Sequence, residues 1–115
     1  MQERPAPRFI AFEIAILAIE RVRPLVAEVK RFDRDLADQM RRAASSIALN
    51  LAEGNRSQGG NRVARFSTAA GSTAEVRAAL RVAVAWGYVT GEAVLASDEL
   101  LDRIAAMLHR LGARR

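Results

Sequence analysis

From Leu36 to Leu51 the apolar side chains Leu36, Met40, Ala43, Ala44, Ile47 and Leu51 recur at steps of three and four, with Arg41, Arg42 and Ser45 opposite them. That spacing closes one face of a helix and excludes a strand, whose side chains alternate with a period of two. The small members of the stripe let a second helix approach closely. The chain is therefore read first as a set of packed helices. Half of its residues are hydrophobic but only 5% are aromatic, a balance that favours helix over sheet.

Four such segments are predicted, at about residues 8–30, 35–53, 61–86 and 91–111, forming a single domain over residues 1–115. In the first, Phe12, Ile16, Ile19, Val22, Val26 and Val29 make one stripe, and Ile10, Ile14, Leu17 and Leu25 make a second beside it. A helix on the rim of a monomeric bundle needs one apolar face, so the surplus predicts cover by another subunit. Phe9, Ile10, Ile14, Leu17 and the isolated Leu49 are the candidate interface residues. Pro24 is expected to kink or open this helix. Asp33 or Asp35 caps the second helix, and Gly54 is expected to end it in the left-handed conformation. The loop Asn55–Asn61 follows. Phe66, Thr73, Val76, Leu80 and Val84 form the core stripe of the third helix, which Gly87 stops. Thr90 caps the fourth, whose Val94, Leu101, Ile104, Leu108 and Leu111 face inward with Leu100 and Met107. Short connections predict antiparallel neighbours, an all-α, up-down-up-down four-helix bundle.

The net charge of +5 is unevenly placed. The two ends of the chain are balanced, and the whole excess lies between Gln39 and Gly91. There Arg41, Arg42, Arg56, Arg62, Arg65, Arg77 and Arg81 stand against Glu53 and Glu75. Clustered cations suit an anionic partner such as a nucleic-acid backbone. Equally, charged helix faces ordinarily serve solubility, and an arginine-rich composition accounts for part of the excess.

Catalytic chemistry finds little support. The chain has no cysteine, which excludes thiolate metal sites and cysteine nucleophiles. Ser45 and Ser46 lack a general base and read as packing residues. His109 has no Glu-x-x-His partner for a di-iron site. Gly59-Gly60 lacks the spacing and lysine of a phosphate-binding loop. Arg42, Asn50, Glu53 and Glu75 could converge near the junction of the second and third helices. The simpler expectation is that both glutamates accept hydrogen bonds from arginine and backbone donors. No enzyme, cofactor, metal or small-molecule substrate is expected. The absence of a long apolar run or signal-peptide core makes a cytoplasmic setting the default.

The run Arg41-Arg42-Ala43-Ala44-Ser45-Ser46-Ile47, followed by Asn50, Ala52, Glu53 and Gly54, resembles the signature of the four-helix-bundle proteins encoded in intervening sequences of 23S ribosomal RNA genes. Phe66, Ala70–Glu75 (with Gly71 inside it) and Trp86-Gly87-Tyr88-Val89 resemble that family's third helix and the aromatic turn after it. The likeness spans Leu36 to Val89 and departs at Ala48, where members commonly carry proline. It makes Asn50, Glu53, Gly54, Gly71 and Glu75 structural motif residues. It implies a bundle assembling into a ring-like homopentamer. The chain is also similar to the accessory variability proteins of diversity-generating retroelements, which implies binding to nucleic acid or a nucleic-acid enzyme. Intervening-sequence members themselves have no settled activity. Two functions thus remain open: a nucleic-acid-binding accessory factor, or a structural and protein–protein scaffold.

Overall fold

The computed structural model describes residues 9–113. It contains four α-helices and, among the described residues, no strand: α1 (Ile10–Lys30), α2 (Arg34–Arg56), α3 (Gly59–Ala85) and α4 (Leu95–Arg110), the last preceded by a 3-10 turn at Glu92–Val94. The main packed pairs are α1 with α2, α2 with α3, α3 with α4, and α1 with α4. One core runs between them. The start of the first helix expected near Arg8 lies outside the described residues.

The buried stripe of α1 is Ala11, Ile14, Ala15, Ala18, Val22, Leu25 and Val29, so neither stripe read from the large side chains is the core face. Alanine decides it, because its small side chain brings the helix axes close enough for Val22 and Val29 to be enclosed completely. Phe12, Ile19 and Val26 are half-buried at the margin. Ile10, Ile16 and Leu17 remain exposed. The helix runs unbroken through Pro24. Pro24 is on the exposed side, as is Glu20, whose carbonyl loses its amide partner, so that carbonyl is not sealed in the core.

Of the two aspartates that could cap α2, Asp33 does so: its carboxylate accepts from the Leu36 amide at 3.0 Å. The far end of α2 differs from expectation. The helix continues past Gly54 to Arg56, leaving only Ser57 and Gln58 before α3. Gly54 is buried inside the helix, and the positive-φ glycines among the described residues are Gly59, Gly87 and Gly112. Its role is close approach. A Cβ built there would lie 2.6 Å from Cδ1 of Phe66, well inside ordinary contact.

Phe66, Thr73, Val76 and Leu80 of α3 are buried, and Val84 is half-buried. The buried Thr73 hydroxyl donates to the Ala69 carbonyl at 2.8 Å. Gly87, with φ +78°, ends the helix: its amide donates to the Val84 carbonyl while the Tyr88 amide reaches back to Ala83, both at 2.9 Å. This pair of bonds is the Schellman arrangement. Gly112 repeats it after α4. Thr90 does cap, accepting from the Ala93 amide at 3.1 Å, but it opens the 3-10 turn, and α4 begins only at Leu95.

Candidate functional site

The seven arginines of the charge-rich segment occupy different environments. Arg77, on α3, is clamped to α4: Nε donates to Oδ1 of Asp98 at 2.9 Å, Nη2 to Oδ2 of the same carboxylate at 3.3 Å, and Nη1 to Asp102 at 3.3 Å. The hydrogen bond with Asp98 raises its pKa above the usual arginine value, against a smaller opposing effect of burial. Arg62 is a packing element. Its Nη1 donates to the Gly54 carbonyl at 3.1 Å, and its guanidinium carbon sits 4.7 Å from the centre of the Phe66 ring. Arg41 approaches Asp38 only to 3.8 Å, with both side chains well hydrated, a contact that holds little. Arg42, Arg56, Arg65 and Arg81 are exposed and, among the described residues, make no ion pair.

The motif residues gather along the seam between α2 and α3. Ser46 and Ser72 share a hydrogen bond at 2.7 Å across it, and the Asn50 amide donates to the Ser46 carbonyl and hydroxyl at 2.9 and 3.1 Å. Glu53 and Glu75, expected to be tied to arginines or backbone donors, are instead exposed and form no ion pair among the described residues. Glu53 does not converge with Arg42, and Glu75 forms no ion pair with it among the described residues. Eleven residues separate Arg42 from Glu53 on one helix, about 16 Å of axial rise. Gly71 is exposed, with open space where a Cβ would stand. The Ser45 hydroxyl donates to the Arg41 carbonyl within its own helix. His109 is exposed near the end of α4. Among the described residues no three His, Cys, Asp or Glu side chains cluster as metal ligands.

Of the five residues assigned to an intersubunit surface, Ile14 is in the core at 5% exposure, because its position on α1 falls inside the alanine stripe. Phe9 is half-buried against Phe66, ring centres 6.1 Å apart. Ile10, Leu17 and Leu49 are open to solvent, Leu49 at 65%.

Two features had no counterpart in the sequence reading. Phe32, in the α1–α2 turn, stacks on Tyr88 at 5.2 Å, and Trp86 lies 6.4 Å from Tyr88, so three of the chain's few aromatics form one cluster at an end of the molecule. Trp86 itself is 69% exposed. No local pattern pairs residue 32 with residue 88, although the Trp86-Gly87-Tyr88 turn was itself visible. The second is an open groove of about 870 Å³ between α3 and α4, lined by Ala74, Ala78, Leu95, His109 and the Arg77–Asp98 pair. Its central charges already satisfy each other. No described helix is long and apolar enough to cross a membrane.

A family model described as 23S rRNA-intervening sequence protein matches residues 10–110. No curated protein and no solved structure matches the chain.

Proposed function

Because the chain belongs to the 23S rRNA-intervening sequence protein family, we propose that it is a non-enzymatic, self-associating four-helix bundle that binds nucleic-acid phosphates through the exposed arginines of α2 and α3. The observation that carries this reading is the separation of the seven arginines into engaged and open sets. Arg62 and Arg77 serve the fold, whereas Arg41, held only loosely by Asp38, and Arg42, Arg56, Arg65 and Arg81 present charge to solvent. Phosphate contact through point charges gives weak, salt-sensitive and sequence-tolerant binding. A role beside a nucleic-acid enzyme, as in the accessory variability proteins of retroelements, and a cytoplasmic setting fit the same reading.

In this proposal the helices alternate in direction. Ser46 sits opposite Ser72 and Gly54 opposite Phe66, so eight residues forward along α2 correspond to six backward along α3. Two-residue and three-residue connections support the same course. Assembly into a ring, five-membered by family resemblance, would cover Ile10 and Leu17 of α1, which a monomer leaves in water.

Fluorescence anisotropy with labelled RNA and DNA at low and physiological salt tests the nucleic-acid role. Binding that weakens steeply with salt is expected; no binding by micromolar protein at low salt would refute it. The second reading, a protein–protein scaffold, is favoured by the exposed apolar and aromatic side chains rather than by charge, and it survives that outcome.

A further inference from the structure

The outer side of the α2–α3 seam carries a charge pattern that is complementary to itself. On α2, Arg42, Ser46, Leu49 and Glu53 follow at steps of four, three and four, and on α3 Arg65, Thr68, Ser72 and Glu75 follow at three, four and three. Each set is therefore one stripe. The Ser46–Ser72 bond puts the two stripes side by side. With the antiparallel register proposed above, on which this inference rests, Arg42, Leu49 and Glu53 lie within about half a turn of the levels of Glu75, Gly71 and Arg65 respectively. One end of the seam is thus positive on α2 and negative on α3, and the other end is the reverse. None of these four charges is paired within the chain among the described residues.

We infer that this seam is a two-fold contact between copies of the chain, in which α2 of each copy lies over α3 of the other. A rotation of 180° about an axis parallel to the helices brings Arg42 of one copy to Glu75 of its partner and Glu53 to Arg65, each pair occurring twice. The same rotation sets the exposed Leu49 over Gly71, where open space receives it. An exposed leucine flanked by unpaired opposite charges is the composition of an interface centre with a polar rim. Such a contact closes on itself. It is separate from a ring contact through α1. It also withdraws Arg42 and Arg65 from the phosphate-binding set and leaves Arg41, Arg56 and Arg81.

Because the chain has no cysteine, cross-linking reads this geometry directly. Leu49→Cys chains mixed with Gly71→Cys chains under mild oxidation are expected to give the mixed disulfide as the main product. In sedimentation velocity Leu49→Glu should weaken self-association about tenfold or more with helicity unchanged by circular dichroism. Glu53→Arg should weaken it too, and Glu53→Arg with Arg65→Glu should restore it. No cross-link, or only Leu49→Cys chains joined to one another, overturns the arrangement. Association that survives Leu49→Glu but is lost in Leu17→Glu overturns this surface while leaving self-association standing. A wild-type chain that stays monomeric at all concentrations overturns both.

Discussion

Replacing Gly54 by alanine puts the packing of α2 on α3 to a quantitative test. Gly54 lies inside a regular helix, so on propensity alone the new methyl should stabilise by about 1 kcal/mol. The structure opposes that gain. The methyl carbon would sit 2.6 Å from Cδ1 of Phe66 and closer still to Cε1, and the ring would have to retreat about 1 Å to reach ordinary contact. Phe66 is fully buried and carries the Arg62 guanidinium over its ring, so it has little room to move. Overpacking of this kind costs about 1–3 kcal/mol, here toward the upper end because the Arg62 bond to the Gly54 carbonyl is disturbed with it. The net expectation is a loss of about 1–2 kcal/mol, or a Tm lower by about 4–8 °C for a chain of this size. Urea and thermal unfolding, followed by circular dichroism and by the fluorescence of the single tryptophan, measure it. In a Phe66→Leu background the same substitution should turn neutral or stabilising, since the obstructing ring is gone. A left-handed helix terminator would behave differently, tolerating Gly54→Asn. If Gly54→Ala raises the Tm of the otherwise wild-type chain, the close-approach argument is wrong.

Asp33→Ala should cost about 1 kcal/mol by leaving the Leu36 amide uncapped, read as a lower urea midpoint with unchanged slope. Arg77→Gln should cost about 1 kcal/mol, the pair with Asp98 being partly screened by solvent, and hydrogen exchange should rise in α4 rather than α2. Because the folded pKa of Arg77 is raised, its stabilisation is complete below the unfolded value and lost only as pH climbs through the folded one. The titration of Arg77 itself should therefore add no pH dependence to the wild-type-to-variant difference between about pH 6 and 9, and urea midpoints across that window test it. Arg56→Ala and Arg81→Ala should each lower the salt slope of nucleic-acid binding by roughly one, whereas Arg62→Ala should destabilise the fold instead.

Where the helices lie was legible from residues three and four apart. Start and stop signals are local as well: a carboxylate three residues from the amide it caps, a hydroxyl at Thr90, a glycine able to take positive φ at Gly87. Each depends on a few neighbouring atoms, and at these three positions the structure follows them. Gly54 misled because glycine serves two purposes that look alike in sequence, a backbone turn and a close approach. Only the position of Phe66, twelve residues on, separates them. The first helix misled for a related reason. Large side chains dominate a hydropathy pattern, yet the face that packs is the one whose alanines let the axes come near.

The candidate surface divides in the same way. That positive charge is concentrated between Gln39 and Gly91 can be read along the chain, since charge is counted one residue at a time. The sequence had no means of showing that Arg77 spends its charge on two aspartates of α4 or that Arg62 reaches across to the Gly54 carbonyl of α2. Those fates are set by residues brought together from 21, 25 and 8 positions away. Tertiary structure alone decided which cations remain open to a partner, because an arginine's availability depends on what the rest of the fold places within reach of its guanidinium.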